Sequence, residues 1–599
     1  MAKRMLRSEV PLEQTWRIED IFPSLTEFDA ELAAVERDIP SVAQYRGKLG
    51  EGAATFLACL EANEALERRL AKVGTYAFLR ISADGSASEN QMASGRVASL
   101  RAKVAAATAF IRSESLALPA GTLERYLSEE PGLASFRRLV ERMIEEKPHM
   151  LSQETEVALA SLGEVLGAPA TIYERARSTD MTFRPVRDGA GNELPMSFPV
   201  YEEGYERSSD TTLRRNAFRS FTDGLKAYQN TFAATFATEV KKNIVTAKLR
   251  GYKDATDMLL ARQEVPREVY NSLHDIILGE LAPHMRRYVE LRKRVLGLDK
   301  ILYCDIEAPL DPDYSPSISF AEAADLILGG VKVMGPDYTE INRRALEDRW
   351  VDWSDNVGKV SGCFTASVWG VHPYILVTWA NTGRNVFFLA HEIGHAVHGV
   401  YTQRHQRPSN GRASMFFIEA PSTINEILVA QHLLSETIDV RRRRWLIMQM
   451  LGTYYHNFVR HLIEGELQRR IYVIAEQGQT ITASTLSRVQ GEILAEFWGD
   501  LVEIDDGARL TWMRQSHYYS GLYPYSYSAG LTCGTAVAQD IREQGQPAID
   551  RWIRVLEAGG TKKPLELMAM AGVDMTKPDP IRKAVNYVGT LIDEVVKSF

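Results

Sequence analysis

Residues 385–398 read NVFFLAHEIGHAVH, a stretch in which two histidines, His391 and His395, stand on either side of Glu392. Positions i and i+4 of an α-helix lie nearly above one another, so both imidazoles can bind one zinc ion at about 2.0–2.1 Å. Glu392 lies too far round the helix to bind the same ion, but it can take a proton from a water molecule on the metal. The stretch therefore predicts a hydrolytic zinc centre carried by a helix.

The flanking residues predict where this helix begins and ends. Asn385 can cap the N-terminus, residues 386–390 form an apolar run, and Gly399 offers a stop after His398. Buried imidazoles without partners are costly, whereas a zinc ion satisfies one nitrogen of each ring. We therefore expect the helix to be buried and to carry the metal.

A catalytic zinc site also needs a third protein ligand and an open position for water. One class of zinc peptidases finds that ligand at the end of the pattern HExxHxxGxxH, but here the glycine position is His398 and the final position is Tyr401. Further along, Glu419 and Glu426 are seven residues apart, which places both on one face of a continuous helix. Spacing alone allows either to be the ligand and the other to orient a ligand.

Two segments at a fixed distance, Leu389–His398 and Phe417–Ser422, carry a resemblance to a known family. The chain resembles the thimet-type oligopeptidases of the M3 metallopeptidase family, and within that family the bacterial oligoendopeptidase F branch. The likeness spans essentially the whole chain. Its other segments are residues 7–11, 15–16, 20–23, 250–252, 372–376 and 517–530.

The resemblance implies which residues hold the metal. In the M3 family the third zinc ligand is the glutamate of a Glu-x-Pro-Ser element, which here is Glu419. One zinc ion per chain is then expected on His391, His395 and Glu419. Glu426 and His398 are expected to lie behind these ligands, because a fourth protein ligand would close the catalytic position.

Two short segments rich in β-branched and aromatic residues precede the zinc helix and predict a hairpin. They are residues 362–367 and 373–379, separated by a glycine-containing turn. In zinc peptidases of this build, an edge strand beside the active-site helix pairs with the extended substrate backbone. The alternative is a purely structural hairpin. The residues predicted to bind substrate in this way are Pro373, Tyr374, Ile375, Leu376 and Val377.

Residues 517–530 contain five tyrosines and a histidine, broken by glycine and proline, which predicts a loop lining a polar site. Neutral phenols can stabilise the oxyanion that forms when water attacks a peptide carbonyl. In M3 peptidases the corresponding histidine and tyrosines bind the carbonyl and the tetrahedral intermediate. By position this implies His517 and Tyr525, with Tyr519 or Tyr518 as the other donor. The remaining tyrosines, predicted either to contact substrate or to pack, are Tyr523 and Tyr527.

Composition and charge are those of a large enzyme. The 599 residues are 45% apolar and 25% charged with a net charge of −8, and no basic stripe predicts a nucleic-acid partner. The N-terminus lacks the apolar core of a signal peptide, and no run approaches the roughly 20 apolar residues of a membrane span. Four scattered cysteines without a pairing pattern are typical of a reducing compartment, so we expect a cytoplasmic protein. The sequence leaves the oligomeric state open.

Apolar residues at three- and four-residue intervals predict a mainly α fold. A turn at residues 187–193 lies between short extended pieces, and prolines and aspartates predict a loop over residues 304–319. We predict an N-terminal helical region, residues 1–195, and a catalytic region, residues 196–599. The resemblance implies two helical lobes flanking a deep channel, with a small β-sheet beside the zinc helix. The clearest helical periods cover residues 55–79, 212–249 and 266–295.

Motif and resemblance together predict a zinc endopeptidase that hydrolyses internal bonds of short oligopeptides. A deep channel would admit short flexible peptides and exclude folded proteins. Glu392 would take a proton from the attacking water and return it to the leaving amine. Two alternatives stay open: a helical zinc carboxypeptidase, which can share HExxH and a downstream glutamate, and a catalytically inactive peptide-binding protein of the same fold.

Overall fold

The computed structural model describes residues 4–599 and is mainly helical, which confirms the predicted fold class. The helices of this part of the chain are α1 (Leu25–Asp38), α2 (Pro40–Ala43), α3 (Ala53–Ala83), α4 (Ser88–Thr108), α5 (Phe110–Ala117), α6 (Thr122–Glu129), α7 (Arg137–Glu146), α8 (Gln153–Ser161), α9 (Gly163–Arg175), α10 (Phe198–Glu203), α11 (Thr211–Leu249), α12 (Ala255–Gln263), α13 (Arg267–Val295), α14 (Phe320–Val331), α15 (Pro336–Glu347), α16 (Gly383–His405), α17 (Glu419–Glu436), α18 (Val440–Tyr454), α19 (His461–Glu476), α20 (Ala483–Trp498), α21 (Asp506–Arg509), α22 (Ser526–Gln544), α23 (Gln546–Ala558), α24 (Pro564–Met570) and α25 (Asp579–Ser598). The strands are β1 (Val186–Arg187), β2 (Glu193–Leu194), β3 (Ile301–Leu302), β4 (Val351–Asp352), β5 (Phe364–Ala366), β6 (Tyr374–Leu376) and β7 (Val502–Glu503).

The three clearest helical periods in the sequence correspond to α3, α11 and α13, each within a few residues of its predicted ends. Local chemistry fixes where such helices begin. At the start of α11, the Asp210 side chain accepts hydrogen bonds from the backbone N–H groups of Thr212 and Leu213. This satisfies two of the backbone donors that the first turn of a helix leaves unpaired.

The chain forms two compact units, and each contains several separate segments. The first unit comprises Met1–Met150, Pro316–Ser435 and Val537–Gly572. The second comprises Leu151–Ser315, Glu436–Ala536 and Val573–Phe599. The chain therefore crosses from one unit to the other several times, and the predicted division at residue 195 stays a prediction.

The core of the first unit joins its N-terminal helices to its sheet. In α1 and α3, the rings of Phe28 and Tyr76 stack with centroids 5.1 Å apart. The same cluster of buried residues includes Tyr374 and Leu376 of β6. This continuous core fixes the position of the strand that precedes α16.

A three-stranded sheet in the first unit has the order β4-β6-β5. Strands β5 and β6 are antiparallel, with Thr365 opposite Ile375, which confirms the predicted hairpin. Strand β4 pairs with β6 in parallel, with Val351 opposite Ile375. Strand β4 has no signal in the sequence, because two paired residues are too short for a period-2 pattern. Strand β6 is therefore the central strand, and β5 lies at an edge.

The second unit is built on the long helices α11 and α13, which pack with α19, α20 and α25. Strands β1 and β2 pair in antiparallel fashion around the predicted turn, and β3 pairs in parallel with β7. No helix in the part of the chain that the structure describes has both the length and the apolar character needed to cross a membrane.

Candidate active site

Helix α16 carries the HExxH motif, and its ends differ from the prediction. It begins at Gly383, so Asn385 is not the N-cap residue; Asn385 Oδ1 instead accepts hydrogen bonds from the backbone N–H groups of Ala380 and Thr382, at 3.1 and 3.3 Å. The helix continues past Gly399 to His405. Gly399 is a packing position, because a Cβ atom added there would lie 2.5 Å from Ser367 Oγ.

Gly394 lets the two helices of the site approach closely. A Cβ atom added at Gly394 would lie 2.6 Å from the backbone oxygen of Pro421 and 2.7 Å from Cα of Ser422, both in α17. These are backbone atoms that cannot move without the helix. The glycine between the two histidines therefore sets how near α17, and with it Glu419, comes to α16.

We expect Gly394→Ala to cost about 1–3 kcal/mol of stability, since overpacking against a backbone forces the helices apart. The same displacement should move Glu419 and weaken metal binding. Gly452→Ala in α18 is a matched control, because a Cβ atom there meets nothing within 4 Å, and alanine favours a helix by about 1 kcal/mol over glycine. Chemical denaturation and metal titration of both variants measure the two effects; equal stability of the two would contradict the close approach.

Three donor atoms converge at the contact between α16 and α17. His391 Nε2 lies 3.3 Å and His395 Nε2 lies 3.5 Å from Glu419 Oε2, and the imidazole centroids are 4.9 Å apart. Tetrahedral zinc with bonds of about 2.0–2.1 Å separates neighbouring ligand atoms by about 3.3–3.4 Å. Within the described residues, this trio is the one group of three or more His, Cys, Asp or Glu donors close enough to hold a metal ion. The donors therefore fit the zinc ion that the resemblance implies.

Glu426 lies behind His391 rather than among the donors. Its Oε1 is 2.6 Å from His391 Nδ1, so one ring nitrogen of His391 faces Glu426 while the other faces Glu419. A carboxylate on the second nitrogen fixes the tautomer and orientation of a metal-binding histidine. This arrangement favours Glu419 as the ligand over Glu426, which spacing alone had left undecided.

The pKa shifts of His391 and Glu419 are those of a mutually stabilising charge pair. Burial alone would lower the pKa of His391, but its hydrogen bonds to Glu419 and Glu426 raise it well above the ordinary value. Burial alone would raise the pKa of Glu419, but His391 and His395 hold it well below the usual range. Positive charge is therefore favoured where these side chains meet, as a metal ion requires.

Glu392 is buried at 4% exposure and is held by strand β5. The Thr365 hydroxyl lies 2.8 Å from Glu392 Oε2 and 2.8 Å from the Glu392 backbone oxygen, and its one hydrogen can be donated to either. Desolvation and the Glu392 carboxylate raise the pKa of the neighbouring Cys363 thiol. The sequence offered no signal for Thr365 beyond its place in a predicted strand.

His398 packs beneath the site. It is buried, its ring meets Phe417 edge-on with centroids 5.9 Å apart, and it is not part of the group of three donors. Burial, together with nearby His395, lowers the pKa of His398 to about 4, so the ring is neutral at neutral pH. It supports the helix contact from behind.

The sheet order limits how the predicted hairpin could contact a substrate. Strand β6 is hydrogen-bonded on both sides and residues Tyr374–Val377 are buried, so its backbone cannot pair with an added peptide. In the described part of the chain, β4 and β5 each have one side without a strand partner, and of these two β5 touches Glu392 through Thr365. Backbone pairing with a substrate is therefore not open at β6, because β6 is the inner strand. Other substrate contacts of Pro373, Tyr374, Ile375, Leu376 and Val377 stay a prediction.

The second unit contains a cluster of imidazole and phenol rings around His517. The His517 ring centroid lies 4.7 Å from that of Tyr523 and 5.7 Å from that of Tyr527, and the two phenol rings are 5.1 Å apart. His461 stacks on Tyr527 at 4.5 Å and is held through Nδ1 by Glu464 Oε2 at 2.9 Å. Burial, then His461, lowers the pKa of His517 to about 4, so its ring is neutral at neutral pH.

The other tyrosines of this segment point elsewhere. Tyr525 is 1% exposed and donates its hydroxyl hydrogen to Gln263 Oε1 at 2.6 Å, and the Tyr519 hydroxyl lies 2.6 Å from that of Thr235. Tyr518 is buried and stacks on Phe236. The predicted roles of Tyr525, Tyr519 and Tyr518 stay predictions, and in this structure their side chains contact other residues of the same unit. The predicted loop is also shorter, since α22 begins at Ser526.

Comparison with known proteins agrees with this geometry. A family profile described as Peptidase family M3 matches residues 205–587, and one described as Oligopeptidase F matches residues 114–183. The first covers more than half of the chain and includes the metal donors. The chain belongs to peptidase family M3. The family predicted from the two motif segments is thereby confirmed.

This M3 peptidase matches curated relatives along its length. Oligopeptidase PepF of Bacillus subtilis is 34% identical over 589 residues, which cover 98% of this chain and 88% of the relative. The plasmid oligoendopeptidase F of Lactococcus lactis subsp. cremoris is 27% identical over 603 residues, covering 100% of this chain and 99% of the relative. The M3 peptidase described here is a metalloendopeptidase.

Solved structures show the same fold. Oligoendopeptidase-F from Enterococcus faecium aligns with this M3 peptidase at a TM-score of 0.75 and 27% identity, over 96% of this chain and 99% of that one. A putative peptidase from Chlamydophila abortus aligns at a TM-score of 0.90 and 24% identity, over 100% of both chains.

Proposed function

We propose that this M3 peptidase is a zinc-dependent endopeptidase that hydrolyses internal bonds of short peptides. The observation that carries the proposal is the trio His391, His395 and Glu419, whose donor atoms have the mutual spacing of a tetrahedral zinc site. The donor set of two imidazoles and one carboxylate is a common one for catalytic zinc.

Each residue of the site has a role that follows from its contacts. When bound, zinc supplies Lewis acidity, which lowers the pKa of a water molecule and polarises the substrate carbonyl. Glu392 accepts the proton of the attacking water and delivers it to the leaving amine. Thr365 holds that carboxylate in place, and Glu426 keeps the Nδ1 proton of His391 in the tautomer that leaves Nε2 for the metal.

Strand β5 is proposed to hold the substrate backbone. Its inner side pairs with β6, and among the described residues its outer side has no strand partner. Main-chain hydrogen bonds to a strand edge hold a peptide with little regard to its side chains. This suits an enzyme that acts on many short peptides.

For the ring cluster of the second unit, we propose that His517, Tyr523 and Tyr527 donate hydrogen bonds to the substrate carbonyl oxygen as negative charge develops on it. The resemblance supports a histidine and tyrosines in this role, and the three rings pack on one another with part of each exposed. Neutral imidazole and phenol N–H and O–H groups are suited to this task.

We expect Tyr527→Phe to lower kcat by about 10²-fold, because removing one oxyanion donor typically costs that much. Tyr525→Phe is the matched control: it removes a hydroxyl group that is bonded to Gln263 and should change kcat little. Steady-state kinetics on one peptide measures both. If Tyr525→Phe lowered kcat more than Tyr527→Phe did, Tyr525 would be the hydrogen-bond donor.

Internally quenched fluorescent peptides test the proposed function directly. An endopeptidase should cut a short peptide whose C-terminus is amidated, whereas a carboxypeptidase needs the free carboxylate. A lengthening series should show turnover falling as the peptide approaches the size of a folded domain. Cleavage confined to the last residue of unblocked peptides would overturn the endopeptidase proposal, and absence of any cleavage would favour an inactive peptide-binding protein.

A cytoplasmic location is also proposed. The four cysteines, Cys59, Cys304, Cys363 and Cys533, are free thiols. Free thiols persist in reducing compartments.

A further inference from the structure

One stripe of helix α16 remains accessible in its first four turns. Between Gly383 and His398, the buried positions leave Arg384, Phe388, His391 and His395 as the side chains that reach solvent. At 100° per residue these four lie within a sector of about 60°. We call this row of four side chains the accessible lane. Two of its members are the histidines of the candidate metal site, and the other two are a cation and an aromatic ring.

Arg384 and Phe388 form a pair on this lane. The Arg384 guanidinium lies 4.9 Å from the centroid of the Phe388 ring, and Phe388 is 37% exposed. Their contact, four residues apart, contributes some stability to the helix. However, a cation in the first turn opposes the helix dipole, and an exposed phenyl ring forgoes the stabilisation that burial provides. Both residues are thus placed to meet something outside the helix.

Strand β5 runs along the same helix. Thr365 contacts Glu392, and two residues further on Ser367 lies against Gly399, so strand and helix advance in the same direction. At the other end, burial and Glu392 raise the pKa of the Cys363 thiol, and Arg384 offsets part of that rise, so its guanidinium lies near the beginning of β5. A peptide paired with the outer side of β5 would therefore lie roughly along the accessible lane.

Distances along the helix convert into positions along such a peptide. From the midpoint of the two histidines, Phe388 is about 7.5 Å and Arg384 about 13.5 Å along the axis, at 1.5 Å per residue. An extended peptide advances about 3.3 Å per residue. These lengths correspond to about two and four peptide residues.

We propose that Arg384 and Phe388 form a substrate subsite, which takes an apolar side chain about two residues from the cleaved bond and a carboxylate about four residues from it. The inference rests on the proposed endopeptidase function and names its preferred substrates: short peptides with an apolar residue followed, away from the cut, by an acidic group. That group is either an Asp or Glu side chain or the C-terminal carboxylate of the peptide.

Matched quenched peptides test the subsite. Within each set, the peptides differ only in having Glu, Gln or Lys at the position four residues from the cut. One set varies this position on the N-terminal side of the cut and the other on the C-terminal side. Peptides of the second set are made both with a free and with an amidated C-terminus. The wild type should prefer Glu over Lys on one side by about 5- to 20-fold in kcat/KM, since exposed charge pairs contribute about 2- to 5-fold each. The preference should shrink with added salt. Comparison of the free and amidated peptides shows whether the enzyme recognises the side-chain carboxylate or the C-terminal carboxylate.

Variants at the pair complete the test. Arg384→Glu should reverse the Glu-over-Lys preference, and Phe388→Ala should lower kcat/KM about 10-fold for peptides with Phe or Leu near the cut but not for those with Gly. Arg404→Ala, on the opposite face of α16 and paired with Asp337, should change neither. Peptide binding by Glu392→Gln, followed by fluorescence anisotropy, should show the same preferences. Equal cleavage of all the peptides by the wild type and by Arg384→Glu would overturn the subsite alone; no cleavage of any peptide would overturn the proposed function.

Discussion

Glu392→Gln should lower kcat by about 10²–10⁴-fold, which corresponds to about 3–5 kcal/mol of transition-state stabilisation. The glutamine side chain has nearly the same shape, and its amide oxygen can still accept the hydrogen bond from Thr365. It cannot take a proton at neutral pH. Because Glu392 is not one of the three metal donors, we expect metal content and peptide binding to stay near those of the wild type.

Steady-state kinetics, metal analysis and thermal unfolding of the same preparation separate these effects. Glu347→Gln is a suitable control, since this residue of α15 is an exposed glutamate whose ion pair with Arg343 is long at 3.4 Å. It should behave as the wild type in all three measurements. Turnover by Glu392→Gln within a few-fold of the wild type would remove Glu392 from the proton-transfer role.

Glu419→Gln should abolish tight metal binding and activity together, whereas Glu426→Gln should weaken metal affinity by only about 10–100-fold. The two glutamates lie on the same helix, and both contact His391, but only Glu419 lies within reach of both Nε2 atoms. Losing Glu419 leaves two donors. Losing the Glu426 carboxylate leaves three donors, of which one is less firmly oriented.

Competition titrations with a zinc indicator give both affinities, and activity at saturating zinc gives the functional consequence. Added zinc should rescue Glu426→Gln and should fail to rescue Glu419→Gln. If the two variants exchanged these behaviours, Glu426 would be the ligand, and the 2.6 Å contact with His391 would have to be reinterpreted.

Much of the metal site was readable from the sequence because it depends on helical spacing. His391 and His395 are four residues apart on one helix, so their convergence follows from the geometry of that helix alone. Which of Glu419 and Glu426 binds the metal does not follow from spacing in this way, since both lie on one face of α17. Which carboxylate reaches the metal depends on how α17 crosses α16 at Gly394, and that contact is between distant segments.

The surroundings of the predicted substrate and oxyanion residues depend on tertiary contacts in the same way. The sequence predicts an edge strand at β6 because β4, whose two paired residues carry no pattern, leaves no signal beside it. Position in the motif favours Tyr525 over Tyr527, but Tyr525 precedes α22 and Tyr527 lies in its first turn, so the two side chains face different surroundings. Tyr525 turns to Gln263, and Tyr527 stacks on His461. Tertiary contacts determine which of these side chains can face a substrate, and a single sequence does not show those contacts.

Metal content measured together with activity tests the central claim most directly. Elemental analysis of the purified protein should find about one zinc per chain, and a chelator should abolish cleavage of an amidated quenched peptide until zinc is returned. Glu419→Gln should contain almost no zinc under the same conditions. Undiminished cleavage by protein shown to be free of metal would contradict the assignment of His391, His395 and Glu419 as a catalytic zinc site.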